Sequence, residues 1–323
     1  MKKKSNVIAV LMIGSLVINT AVAQSNQQLK KNQVMENTPT HYRNVSVNEL
    51  KVFYREAGMA DAPTILLLHG YPTSSHMFRN LIPILSKNYH VIAPDLPGFG
   101  YSDAPDNKTF IYTFDNLTTT MQGFIDKLGI KRFAVYIFDY GAPVGLRLAM
   151  ANPEKITGII SQNGNAYEEG LSNGWNSIKK YWKDPSQANR DSLKDFVSEK
   201  TTWFQYHEGV SDPSLIAPEA YTLDQHFLDR SGTIENQLDL LKDYRTNVAL
   251  YPKFHQYFRT YHPKLLLVWG NKDPYFLPAG AEAYKKDLPD AILKFYNAGH
   301  FALETHVTAI GADILNFMAT LPK

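Results

Sequence analysis

Cysteine is absent from all 323 residues. No disulfide framework can therefore support the fold, and stability has to come from a packed core. A lipid-anchored lipoprotein is excluded for the same reason, since no cysteine follows the leader. An excess of one charge is also lacking, with 33 Lys and Arg facing 31 Asp and Glu. Without Lys2, Lys3 and Lys4 the balance is 30 against 31. Such a chain gives no reason to invoke nucleic acid or an anionic membrane surface as a partner. No internal repeat or low-complexity tract stands out. No ligand cluster has the spacing a metal needs, so neither metal nor organic cofactor is implied. What the chain does have is 44% hydrophobic residues, ample for one large core or a core with an inserted domain.

The first residues, MKKKSNVIAVLMIGSLVINTAVAQ, join a basic start, an apolar middle and a small-x-small tail at Ala21-Val22-Ala23. This predicts a signal peptide over residues 1–23, cut near Ala23-Gln24, and export to the periplasm or the medium. The apolar stretch is short and interrupted by Ser15 and Asn19, which argues against an anchor that persists after cleavage. Residues 24–41 begin polar and unpatterned and read as a disordered tether.

From about Tyr42 the text alternates strand-like and helix-like stretches. Val45 to Tyr54 suits antiparallel strands, and TILLLH (64–69) a buried strand. Ser75 to Ser86 reads as an amphipathic helix, HVIAP (90–94) as a strand and Phe114 to Leu128 as a helix. FAVYIF (133–138) is a buried strand leading into a helix over Tyr140 to Ala149. Ile156 to Ser161, KLLLVW (264–269) and ILKFY (292–296) are further strands, and Val307 to Ala319 is a closing helix. Alternation of this kind predicts an α/β fold: a mainly parallel sheet with helices on both faces. Residues 167–261 hold helical and aromatic-rich segments without a core strand. They read as a mostly helical cap inserted into a core made of residues 42–166 and 262–323.

Asp139 stands at the turn between FAVYIF and the following helix, with Gly141 two residues on. That is where a nucleophile elbow lifts one side chain above the sheet. A carboxylate there is ionised at neutral pH and can displace a leaving group from an sp3 carbon, leaving an ester on the protein. On a carboxylic ester it would have to form an anhydride, which is much less favourable, so the residue type points away from esterase chemistry. Taken alone, Asp139 is better read as a helix N-cap. Its distant partners decide otherwise. Asp273, in GNKDP, follows one buried strand, and His300, in AGHF, follows the last one, so both emerge at the same sheet edge. An ester intermediate needs a water and a base, and a histidine oriented by an acid supplies the base. His69-Gly70-Tyr71-Pro72 follows an earlier strand and can set the Tyr71 N–H opposite that of Tyr140, forming an oxyanion hole.

HGYPTSSHMFRNLIPIL, APDLPGFGYSD, FDYGAPVGLRLA, VWGNKDP and AGHFALE occur in that order. The chain from Tyr42 onward thereby resembles the aspartate-nucleophile branch of the α/β-hydrolases, the epoxide hydrolases and haloalkane dehalogenases. The resemblance implies the α/β-hydrolase fold, attack by Asp139, water activation by His300 held by Asp273, and an oxyanion hole from the Tyr71 and Tyr140 amides. Dehalogenases of this style place Asn and Trp where Tyr71 and Tyr140 stand, and those side chains hold the leaving halide. HGYP, with an aromatic third residue, is the epoxide hydrolase style. Epoxide hydrolases also use two cap tyrosines to protonate the opening ring, which nominates Tyr244 (in DYRTN) and Tyr206 (in WFQYHEGV). A phenol suits the task because it donates a hydrogen bond while neutral.

The expected function is hydrolysis of epoxides to diols, on a small apolar electrophile. Two alternatives stay open. One is a haloalkane dehalogenase using Trp203 or another cap residue for the halide; the other is a non-catalytic ligand-binding or host-interaction protein. Oligomeric state is not legible.

Overall fold

The computed structural model describes residues 38–322; the expected signal peptide and most of the tether lie outside them. Strand β1 (His41–Val47) turns at Asn48-Glu49 into β2 (Leu50–Ala57), with full antiparallel register. Both turn residues have positive φ, 47° and 69°, the handedness that a two-residue hairpin needs to match strand twist. There follow β3 (Thr64–Leu68), β4 (His90–Pro94), β5 (Phe133–Phe138), β6 (Ile156–Gln162), β7 (Leu265–Gly270) and β8 (Ile292–Tyr296). The eight strands lie in the order β1-β2-β4-β3-β5-β6-β7-β8. All pairs from β4 to β8 are parallel, and β1 and β2 form the antiparallel edge.

Alternation along the central strands sorts side chains to two faces. Leu66, Leu68, Val135 and Ile137 join the apolar cluster that takes in helix Phe114–Lys127 and the helix after the elbow, Gly141–Ala151. Ile65, Leu67, Ala134, Tyr136 and Phe138 join the cluster of the closing helix, Ala302–Met318. The chain reverses its direction of travel across the sheet after β4, so β3 and β5 are neighbours whose connections leave in opposite senses. Open parallel sheets offer a crevice at the carboxyl ends of such a strand pair.

The expected helix over 75–86 is broken into a 3-10 turn (Ser75–Phe78) and a short helix (Ile82–Leu85). Pro83 has no N–H to offer the carbonyl of Arg79, so a continuous helix would lose a bond there. Between β6 and β7 lie five α-helices and short 3-10 turns. The longest helix, Thr233–Tyr261, spans 29 residues. Hydrogen bonds clasp this segment to the loop after β3 and to the helices Phe114–Lys127 and Gly141–Ala151. Tyr71 Oη donates to the Phe196 carbonyl at 2.7 Å, Arg147 Nη1 to Asn247 Oδ1 at 2.6 Å, and the Phe114 N–H to Asp243 Oδ2 at 2.8 Å.

Candidate active site

Asp139 follows β5 with φ at +47°. A non-glycine residue in the left-handed region costs roughly 1–3 kcal/mol and persists only where its surroundings impose it. Here a crowded backbone imposes it. A Cβ on Gly141 would sit 2.4 Å from the Leu68 carbonyl oxygen, and one on Gly70 would sit 2.3 Å from Asp139 Oδ1. Glycine at both positions lets the elbow press against the end of β3. The Asp139 carboxylate turns toward that strand's loop, where Oδ1 accepts the Tyr71 N–H at 2.6 Å. The Tyr140 backbone N–H also stabilises the carboxylate, so the two amides named from the sequence converge on one side chain.

Asp273 follows β7 and His300 follows β8, which brings both to the same edge. His300 Nδ1 lies 2.7 Å from Asp273 Oδ2, and Nε2 lies 3.9 Å from Asp139 Oδ2. The second distance is too long for a hydrogen bond. It leaves the imidazole facing the carboxyl group without being spent on it. Asp273 is fixed in turn by the N–H groups of Tyr275 (2.7 Å) and Phe276 (3.1 Å) on Oδ1. Asn163 Nδ2 donates to Oδ2 at 2.7 Å.

Asn163 was not anticipated. It follows β6 with φ at +45°, and its Oδ1 accepts the Gly270 N–H at 2.9 Å, tying β6 to the Asp273 loop. Its only trace in the sequence is an Asn-Gly pair directly after a buried strand, which reads as an ordinary turn. His69 Nε2 accepts the Leu96 N–H and Nδ1 faces the Gly70 carbonyl, so this histidine shapes the turn beneath Tyr71.

Burial is the dominant electrostatic fact. It pushes the Asp139 carboxyl up to about 6, against the lowering effect of His300 and the two amides. For His300, burial alone would favour the neutral ring, but the charge and hydrogen bond of Asp273, helped by Asp139, raise its pKa above the ordinary value.

The two nominated cap tyrosines separate. Tyr244 packs into the same apolar cluster as Tyr71 and Tyr140, with its ring 5.9 Å from that of Tyr140, and burial first, then Tyr251 and the charge of Asp139, oppose its ionisation. Tyr206 belongs to the opposite cluster. Its ring stacks on Phe301 at 3.8 Å and its hydroxyl donates to Asp224 Oδ2 at 2.5 Å. A phenol already committed to a buried carboxyl is a poor proton donor to anything else, so the structure does not support Tyr206 as the second cap acid. Trp203 is half exposed and stacks on His207, which leaves it on the outside of the cap. Among the described residues no group of three or more His, Cys, Asp or Glu is arranged to hold a metal ion.

Residues 63–307 match the protein family described as alpha/beta hydrolase fold. The chain belongs to that family. An uncharacterised hydrolase of Saccharomyces cerevisiae, YNR064C, is 48% identical over 292 residues, covering 88% of this chain and 99% of its own. A haloalkane dehalogenase of Psychrobacter cryohalolentis is 41% identical over 117 residues, 36% of this chain and 38% of that protein. The crystal structure of an epoxide hydrolase from Vigna radiata superposes with a TM-score of 0.69 at 21% identity, covering 87% of this chain and 97% of that one, a likeness of fold. The protein is thus an α/β-hydrolase, similar over about a third of its length to a haloalkane dehalogenase and sharing its fold with an epoxide hydrolase.

Proposed function

We propose that this hydrolase opens epoxides to vicinal diols through an ester on Asp139. With Oδ1 held by the Tyr71 amide, Oδ2 is the oxygen placed to attack a ring carbon. The ester carbonyl then stays under the two amides, where the negative charge of the second step develops. His300, steadied by Asp273, draws a proton from the water that attacks the ester carbon. Tyr244 stands on the cap side as a donor to the ring oxygen.

The observation that carries the preference for epoxides over alkyl halides is the state of the indoles. Trp175 and Trp182, which pack against Tyr244, spend their N–H groups on the carbonyls of Tyr275 (3.2 Å) and Leu241 (2.7 Å). Trp269 donates to the Phe276 carbonyl at 2.9 Å, and Trp203 is half exposed. A leaving halide needs free N–H donors, and these indoles offer none at the carboxylate; an opening epoxide needs an acid, and the buried Tyr140 hydroxyl, on the residue after Asp139, has no partner.

The test is single turnover in heavy-oxygen water with panels of epoxides and haloalkanes, followed by mass analysis of the peptide holding Asp139. Label in that peptide after reaction with an epoxide supports the reading. Halide release with no diol from any epoxide would move the assignment to a dehalogenase, and no reaction with either would favour a binding protein on this fold. Export, with cleavage near Ala23-Gln24, is proposed from the leader alone, and amino-terminal sequencing of the mature protein tests it.

A further inference from the structure

Four phenols feel the charge of Asp139: Tyr71, Tyr140, Tyr244 and Tyr275. Three of their hydroxyls are accounted for. Tyr71 donates to the Phe196 carbonyl. Tyr244 is engaged with Tyr251, whose own oxygen accepts Asn165 Nδ2 at 3.0 Å. Tyr275 is partly exposed. Tyr140 differs from all of them, because its Oη is buried with no hydrogen-bond partner.

An unpartnered buried hydroxyl costs stability, and a native structure that keeps one needs a reason for it. The ring cannot swing the oxygen elsewhere. Phe114 and Phe99 meet it edge-on at 5.0 and 6.4 Å, and Tyr71 and Tyr244 lean on it at 5.8 and 5.9 Å. Phenylalanine would fill the same space without the penalty, so packing does not explain the oxygen.

We infer that Tyr140 serves the reaction twice: its amide holds the Asp139 carboxyl, and its phenol gives the proton to the epoxide oxygen as the ring opens. This deepens the epoxide hydrolase reading and rests on it. It places the second acid beside the nucleophile on the sheet, in partnership with Tyr244 on the cap. In the first step a lone pair of Asp139 Oδ2 forms a bond to a ring carbon. The electrons of the broken C–O bond go to the ring oxygen, which takes the Tyr140 proton, leaving a hydroxyalkyl ester and a phenolate. His300 then takes a proton from water, whose oxygen adds to the ester carbon. The diol oxygen departs and takes the proton of the newly formed carboxyl group, and the proton on His300 returns through solvent to Tyr140. Epoxide and water are consumed, diol is released, and every group is restored.

The charge balance favours this route. Burial and the neighbouring carboxylate both oppose a Tyr140 phenolate in the resting protein. Ester formation removes the charge on Asp139 as the phenolate appears, so this pair carries one negative charge before and after ring opening.

Rapid-quench kinetics with an aryl epoxide can separate the two half-reactions in wild type, Tyr140→Phe and Tyr244→Phe. We expect Tyr140→Phe to slow ester formation by about 10²-fold or more, to leave ester hydrolysis within a few-fold, and to melt at the same temperature as wild type or higher. Wild type should also show a solvent deuterium isotope effect on ester formation that is lost in the variant. Ester formation at the wild-type rate in Tyr140→Phe overturns the assignment while sparing the epoxide reading. Absence of any ester in wild type overturns both. If Tyr140→Phe is poorly folded, Tyr244→Phe decides: ester formation that persists there with its solvent isotope effect supports Tyr140 as donor, and loss of that isotope effect overturns the assignment.

Discussion

The sheet edge and the cap that faces it satisfy their polar groups to different degrees. At the edge, both Asp273 oxygens are bonded, Asn163 is held by the backbone of Gly270, and the position of Asp139 follows from a strained elbow locked by glycine contacts. In the cap, the long helix Thr233–Tyr261 buries Thr233, Asn236, Gln237 and Asn247, each with a side-chain atom that lacks a partner. Unsatisfied buried groups mark where an alternative arrangement has most to gain. Asp139, Asp273 and His300 are thus fixed by backbone geometry, whereas the cap across from them is held by side-chain packing that leaves several buried polar groups unsatisfied.

The sharpest break would come at the elbow. Asp139→Asn removes the attacking oxygen, and turnover should fall by roughly 10⁴-fold or more, as when a nucleophile is deleted elsewhere. The same change removes a buried charge whose pKa is raised by burial, so the melting temperature should rise at pH 8. Steady-state kinetics and calorimetry on one preparation check both. A variant that loses stability along with activity would mean that the carboxylate also holds the edge together.

Asn163 tests the same edge more gently. Asn163→Ala leaves Asp273 without one donor and Gly270 without its acceptor, at a cost of roughly 1–3 kcal/mol by denaturant unfolding. His300 should lose orientation, with ester hydrolysis slowed about 10- to 100-fold and ester formation changed far less. Equal losses in both steps would show that Asn163 supports the whole edge and not the histidine arm alone.

Acid should weaken the two half-reactions separately. Ester formation needs ionised Asp139, and with that carboxyl at about 6 its rate at pH 5 should be about a tenth of its plateau. Ester hydrolysis needs neutral His300, whose pKa is raised, so this step also slows as pH falls. The phenols lie well above their ordinary value of 10, so the profile should show no matching loss on the alkaline side up to about pH 9. Rapid-quench rates across pH 5 to 9 check this, and a flat ester-formation rate would break it.

The difference between edge and cap also sets what could be read from the chain. The strands were legible because apolar runs such as Phe133 to Phe138 are buried on both faces, and Asp139, Asp273 and His300 because each directly follows such a run. Backbone determines their position, and sequence order carries backbone. Asn163 was illegible because Asn before Gly describes a turn without saying which side chain the amide meets. Tyr206 misled for a related reason. An aromatic-rich helix fixes neither which ring faces the sheet nor that Asp224, eighteen residues on, takes its hydroxyl. The break within 75–86 was legible in Pro83, but the amphipathic pattern around it outweighed that signal.

Asp224 tests the cap alone, through stability and not through turnover. It lies on helix Pro218–Leu228, buried, with its carboxyl pushed up to about 7 by desolvation, against the lowering effect of donors from Tyr206 and Thr73. An unfolded aspartate titrates near 3.9, so between about pH 4 and 7 the native state keeps a proton that the unfolded state has released. Native stability should therefore fall as pH rises through that window and stay lower above it, by up to roughly 4 kcal/mol. Asp224→Asn keeps an acceptor for Tyr206 and cannot ionise. The variant should melt close to wild type at pH 4 and above it at pH 8, by roughly 5–10 °C. A difference that does not change between those pH values would mean that this carboxyl is already relieved by cap rearrangement, and the cap would then be looser than its buried polar groups imply.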